Sequence, residues 1–400
     1  MSRGGAARAL SPALVLAGLL LVAANLRAGI TTVGPVLGEL QQDLGLASLE
    51  ASVLISLPLV AFAIVSPIAP AVASRIGLER SLGIALAALA VGLVVRSLPG
   101  LPLLWIGTAL LGVAIAVLNV VLPAVVKRDF PKRIGQVTGT YSAVQAAFAA
   151  LAAGVAVPVA GASALGWRLP LGMWAGLALI AIVVMLPQFR RTTHLSAQDL
   201  ADAEHPDLSG LRSPWRSAIG WQVTAFMGLQ SLGFYVLITW LPSIEASAGI
   251  DRASAGLHQL LLNGAGIAGS LAASALIPRL RDQRWLAAGS SALFLGSVLG
   301  VLLAPQLAAG WAILAGIAGG SNIVIALSSF GLRTSHHAQA ASLSGMAQSV
   351  GYTLAAIGPI AVGLMHDVTG SWTPPLLVLA GLVCLTVVFG FLAGRDRVLR

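Results

Sequence analysis

Charge is scarce in this 400-residue chain. It holds 14 Asp and Glu against 23 Lys and Arg, and these four types make up only 9% of it. Soluble domains carry about a quarter charged residues, so a surface wetted on all sides is excluded. A lone cysteine, Cys384, rules out an internal disulfide and any Cys-cluster metal site. No Walker-type phosphate loop occurs, which excludes ATP as an energy source within the chain. Nor is there the clustered nucleophile, metal set or acid/base pair that an enzyme at a membrane edge requires. His336 and His337 adjoin each other without a third ligand nearby, so no metal and no cofactor is expected.

What fills the chain is Ala, Leu, Val, Ile and Gly, in stretches free of charge over 51–74, 97–126, 134–167, 217–244 and 285–332. Each reaches the ~20 residues that cross a bilayer as helix, and the last suffices for two. The pattern predicts an all-α integral membrane protein of twelve spans. Their expected ranges are 11–37, 50–73, 81–98, 101–126, 135–162, 168–188, 217–242, 254–277, 285–304, 307–331, 339–365 and 373–394. The first run continues as a spanning helix, longer than a cleavable leader. The net charge of +9 is distributed as a topology signal: only Arg27, Arg96, Arg168 and Arg252 fall away from one side of the expected bundle. By the positive-inside rule that side is cytoplasmic and holds both termini, in a cytoplasmic (plasma) membrane.

The polar segment 189–216 is the expected cytoplasmic linker, with a short surface helix near Ser196–Glu204. It separates six-helix bundles at 1–188 and 217–400. The halves match: a shift of 204 lays Arg75 on Arg279 and Arg80 on Arg284. A shift of 203 lays Asn119 on Asn322, Gln136 on Gln339 and Gln145 on Gln348. Such a steady offset indicates parallel six-helix pseudo-repeats, an internal symmetry of secondary transporters.

Twelve helices, the repeat and the loop "AVASRIGLER" together resemble the major facilitator superfamily. Arg75, Gly77 and Arg80 match that family's loop signature, while Ser74 stands where an acid is usual. The resemblance implies a gating role for Arg75, Gly77 and Arg80, and for Arg279 and Arg284 in the second repeat. "NLRAGITTVGPVL", "VLPAVVKRDFPKRIGQVTGTYSAVQ" and "GLQSLGFYVLITWLP" are similar to the cyanate and 2-nitroimidazole permease branch. That similarity implies a permease for a small polar or anionic solute, working as a monomer by rocking of its halves. Protons or a counter-anion are further candidate partners, with membrane lipid around the protein and no nucleic acid. A broader drug or metabolite exporter is the alternative, and a transporter-like receptor or membrane enzyme the alternative of another class.

Arg27 is the leading candidate for solute binding. It lies ten residues before Leu37, about 15 Å from that helix end, where an ionised side chain costs roughly 2.5 kcal/mol or more. No Asp or Glu is expected well inside a helix to neutralise it. Its planar fork suits oxyanions and conjugated anions. Asn25 is two residues away, about 200° around the helix, so one of the pair faces the centre and the other a neighbouring helix. Gln145 and Gln348 are repeat-equivalent, and Tyr141 and Tyr352 lie one turn from them on the same faces. Gln230 is a further cavity candidate, sharing a face with Phe234, while Tyr235 and Trp240 are placed near the outer helix end. Asn119 is a solute-contact candidate whose equivalence with Asn322 also suits a structural role near Pro123.

Overall fold

A computed structural model of the chain describes residues 12–46, 48–189 and 213–399. The expected linker core and its surface helix lie outside those residues. Among the described residues no β-strand forms, and fifteen α-helices follow one another. They are α1 (Pro12–Thr31), α2 (Val33–Leu44), α3 (Ser48–Val65), α4 (Ala69–Ile76), α5 (Leu78–Val95), α6 (Leu101–Asp129), α7 (Ile134–Gly161) and α8 (Arg168–Gly172). Then come α9 (Trp174–Phe189), α10 (Ala218–Ser247), α11 (Arg252–Leu276), α12 (Arg284–Leu303), α13 (Ala308–Leu332), α14 (His337–Thr369) and α15 (Thr373–Ala393). Eleven stretches are long and apolar enough to span a membrane, and α3 with α4, bent by 62°, makes up to twelve. The outward faces are apolar: Ile84, Val183 and Ile360 leave 61%, 63% and 62% of their surface uncovered. This surface suits lipid, which demands helices because every backbone polar group must be satisfied within the protein.

Proline tests that demand, because it removes the N–H that its helix would offer the carbonyl four residues back. Three such carbonyls are filled from another helix. Pro67 frees the Ala63 carbonyl, which accepts from Ser349 Oγ at 2.7 Å. Pro123 frees that of Asn119, which accepts from Gln348 Nε2 at 3.0 Å. Pro242 frees that of Ile238, which accepts from Gln259 Nε2 at 2.7 Å. The first two bonds tie α14 to α3 and α6, and the third ties α11 to α10.

Because Ile238 is served in this way, Pro242 does not stop its helix. α10 runs on to Ser247 and carries Glu245 into the packed interior at 1% exposure. α5 likewise begins at Leu78, ahead of the expected 81, and buries Glu79. The expectation that helices carry no internal carboxylate is corrected at these two positions.

Packing repeats along the chain. α1 packs on α7 as α10 packs on α14, α3 on α6 as α11 on α13, and α5 on α9 as α12 on α15. The main contacts between residues 12–189 and 213–399 are α7 with α11 and α14 with α3 and α6. These crossings are tight only toward the end that carries the basic loops. A Cβ on Gly139 would lie 2.0 Å from Ser274 Cβ, and one on Gly345 would lie 2.5 Å from the Ser66 carbonyl oxygen. Ser274 Oγ also donates to the Gly135 carbonyl at 3.2 Å. Toward the opposite end, Gly154 and Gly161 on α7 and Gly256 and Gly264 on α11 meet no neighbour within 4 Å. The bundle is closed at the basic end and parted at the other. The α7 segment "AALAAGVAVPVAGA", whose small residues suit close packing, is therefore unpacked here at both glycines, whereas Gly358 and Gly363 on α14 pack on Leu232 and Trp240.

Gly139→Val places two further methyl groups at the Ser274 seam, and overpacking of this kind costs about 1–3 kcal/mol. The expected outcome is a population opened at the basic end. With Cys384→Ser as background, a cysteine replacing the fully buried Ser66 is expected to react with a membrane-impermeant maleimide about tenfold faster when Gly139→Val is present.

Candidate functional site

At the centre of the bundle Arg27 Nη1 donates to the Tyr235 hydroxyl at 2.9 Å, joining α1 to α10. The arginine is half-buried. Tyr352 of α14 is near enough to interact electrostatically with both Arg27 and Tyr235, and Tyr141 of α7 is near enough to interact with Tyr352. The Phe62 ring closes this group from α3, with its centroid 4.9 Å from that of Tyr352. The chain has three tyrosines; two of them flank the guanidinium and the third neighbours Tyr352. Among the described residues, no carboxylate forms an ion pair with Arg27. No group of three His, Cys, Asp or Glu that would hold a metal ion occurs among them either.

The amides divide by placement. Asn25 turns away from Arg27 and is buried against α9, donating to the Leu21 carbonyl at 2.8 Å and lying 3.4 Å from that of Leu177. Gln348 is fully buried, and its amide nitrogen serves Asn119 O and Ser344 Oγ, the latter at 2.7 Å. Gln230 is spent within its own helix, donating to the Met227 carbonyl at 3.2 Å and to Ser231 Oγ at 2.8 Å. Gln145 is half-buried and makes no hydrogen bond among the described residues. The equivalent glutamines of the two repeats are thus used differently: Gln348 fills a backbone gap left by Pro123, while Gln145 stays available. Asn119 is half-buried and takes part through its backbone carbonyl, whereas Asn322 Oδ1 accepts from Ser290 Oγ at 2.6 Å and fastens α13 to α12.

Sequence reasoning left Tyr235 out of the central group. It lies five residues after Gln230, well around the helix from the face that Gln230 shares with Phe234. Only the fold shows that this second face of α10 looks at α1. Trp240, placed near the outer helix end, donates to the Pro359 carbonyl at 2.8 Å and packs on Trp372 at 5.3 Å between centroids.

At the basic end Arg75 and Arg80 are exposed and make no ion pair among the described residues. Gly77 links α4 to α5 at φ +91°, a conformation that side chains resist. Arg279, just past α11, donates to the Ala275 carbonyl of that helix. Arg284 pairs with Asp282 at 2.6 Å, and that hydrogen-bonded guanidinium holds the Asp282 carboxyl below the usual carboxylate range. The buried ionic contact there is Glu79 with Arg128, which also pairs with Asp129 at 2.8 Å. Its counterpart in the second half is Arg333 bonded to Gln283, at nearly the repeat offset. That offset was the available signal for both pairs.

Residues 19–359 match the family described as Major Facilitator Superfamily. The chain is 41% identical over 386 residues to the 2-nitroimidazole transporter of Escherichia coli (strain K12), covering 96% of each. It is 28% identical to the cyanate transport protein CynX of the same strain, over 93% of this chain and 96% of that one. Its fold superposes on the proton:xylose symporter XylE bound to 6-bromo-6-deoxy-D-glucose, with a TM-score of 0.78 at 13% identity and 97% coverage of both chains.

Gln348→Leu strands the Asn119 carbonyl, because Pro123 has no N–H to return. The expected loss of thermal stability in detergent corresponds to about 1–3 kcal/mol. Adding Pro123→Ala restores an in-helix donor, so the double variant is expected to recover most of that loss. Gln145→Leu is expected to change stability by less than about 0.5 kcal/mol.

Proposed function

This chain belongs to the major facilitator superfamily and is a multi-pass membrane transporter rather than an enzyme, and we propose that its cargo is a small polar or anionic solute, cyanate-like or nitroimidazole-like, bound at Arg27. The observation that carries the reading is a half-buried guanidinium that, among the described residues, has no carboxylate partner and is held by a phenol on α10. A buried cation left in this state calls for a mobile anion or a polarisable acceptor. The names of the two bacterial relatives indicate solutes of that kind for those proteins. The planar fork of arginine presents paired donors to a nitro group or a linear conjugated anion, and the three tyrosines add neutral hydroxyls that tolerate either charge.

The transport cycle follows from where Arg27 is tied. Segments 1–188 and 217–400 act as two six-span halves joined by the linker 189–216, with the basic end in the cytoplasm. The state described is then closed to the cytoplasm and parted toward the outside. A solute that takes the place of the Tyr235 hydroxyl at Arg27 Nη1 exchanges a direct bond between the halves for one that runs through the cargo. Binding and rocking are thereby linked. Gln145, on the face of Tyr141, supplies an amide to the same space, and Arg75, Gly77, Arg80, Arg279 and Arg284 line the closing cytoplasmic edge.

Counterflow in proteoliposomes with cyanate, 2-nitroimidazole, nitrite and small carboxylates tests the assignment. Arg27→Ala is expected to weaken binding of the accepted solute by about 10- to 150-fold, the loss of a hydrogen bond to a charged group. Arg27→Lys keeps the charge without the fork and is expected to fall between Ala and the parent. Unchanged affinity in a well-folded Arg27→Ala protein removes Arg27 from the site.

A further inference from the structure

Glu245 is 1% exposed near the parted end of α10, and one of its oxygens has no hydrogen-bond partner. The other, Oε1, lies 3.1 Å from His258 Nδ1 on α11, whose side chain is 13% exposed. Neighbouring Gln259 binds the Ile238 carbonyl freed by Pro242, so the bond that lets α10 continue also sets the imidazole against the carboxylate. The pair differs from Glu79, which is equally buried but neutralised by Arg128.

Among the described side chains, which do not include that of Arg252 at the start of α11, the other ionisable groups around this pair are engaged elsewhere. Asp251, in the connection before α11, is bonded to the Ser254 amide and hydroxyl at 3.0 and 2.7 Å. On α14, His366 and Asp367 face each other at 3.6 Å, and His366 stacks on Trp372. His366 lies on the Ile244, Ser247 and Ala248 side of α10, across a cavity of about 340 Å³. α13 and α15 contain no charged residue, and α12 has none beyond Arg284 at its basic end. Arg27 is bonded to Tyr235, which is ten residues before Glu245 and about 15 Å along the helix.

We infer that Glu245 and His258 form a proton-binding site, and that one proton taken up there from the medium at the parted end permits that end to close. With a neutral imidazole the pair carries a net charge of −1 that only its exposed edge keeps hydrated. The exposed edge is the 13% of the His258 side chain left uncovered at the parted end, and closing the bundle covers it. A buried, uncompensated carboxylate is then costly. Addition of one proton, either to a carboxylate oxygen or to the imidazole, forms one O–H or N–H bond with no redox change and makes the pair neutral. The proton belongs to the pair rather than to either residue. The site therefore makes closing conditional on protonation. It deepens the transporter reading, on which its role in flux rests, by naming the proton as coupling ion.

The test follows closing and flux separately. In a Cys384→Ser background, spin labels at Ala164→Cys and Ala248→Cys report the separation of the parted end in nanodiscs without any solute. Lowering the pH is expected to raise the closed fraction about tenfold in the parent. Glu245→Gln, a neutral isostere, is expected to abolish that response, and His258→Gln to displace its midpoint. No response in the parent, or the same response in both variants, overturns the inference. If Glu245→Gln fails to fold, the His258→Gln midpoint alone decides. In proteoliposomes, Glu245→Gln is expected to retain solute–solute exchange and lose accumulation driven by a pH gradient. Retained accumulation also overturns the inference. Absence of all solute exchange in the parent, with the pH-dependent separation intact, sinks the cargo reading and leaves the proton site standing.

Discussion

In a lipid bilayer a backbone carbonyl needs a partner within the protein, and at three proline breaks this bundle meets that constraint with a side chain from another helix. The chain has 20 prolines, and three of those inside spans open gaps that side chains of other helices fill. Ser349 and Gln348, adjacent on α14, fill two of them on α3 and α6. The bonds that complete the backbone are thus also bonds across the closed end. Opening that end exposes the Ala63 and Asn119 carbonyls just as water gains access to them, which keeps the cost of the change modest.

The same economy governs side chains. Where two helices must touch, glycine lets them approach: the Gly316 and Gly320 positions on α13 would place a Cβ within 2.1 and 2.0 Å of carbonyl oxygens of α11. Small-residue contacts of this kind drive association in lipid, where the hydrophobic effect between helices is absent. Their distribution sets the conformation, with tight contacts at Gly139 and Gly345 and open space at Gly154 and Gly264. Charge is handled by position. Glu79 and Arg128 neutralise each other at the basic end, Arg168 and Asp43 meet at 2.9 Å at the opposite end, and Arg96 is buried with a single bond to the Leu171 carbonyl at 3.0 Å. Arg27 alone is held by a neutral phenol beside the central space.

Much of the fold was legible because lipid simplifies the code. Uninterrupted apolar runs of spanning length admit helix and little else, so twelve expected spans correspond to helices or helix pairs. Helix ends were harder to read. Pro242 looks like a stop in sequence, and only Gln259, 17 residues later, shows why the helix continues and why Glu245 lies inside it. The site was legible in part. Tyr352 lies near Arg27 and Tyr141 near Tyr352, and of the two residues whose spacing sets them on different faces it is Asn25 that turns to a neighbouring helix. Gln348 and Gln145 look equivalent by repeat, yet a proline on a third helix gives one of them a backbone to complete.

The sequence by itself determined what is additive along the chain: membrane class, span count, family, and the presence of one arginine with no carboxylate nearby in sequence. Class and span count follow from composition and the length of apolar runs, and the family from the resemblance of local motifs. Only the tertiary structure decided which helix face meets which. It selected Tyr235 over Phe234 as the partner of Arg27, set His258 on Glu245, and closed one end while parting the other. Each of these depends on contacts between residues hundreds of positions apart or on different helices. A helical sequence specifies the angles between its own side chains, but not the rotation at which it docks against its neighbours.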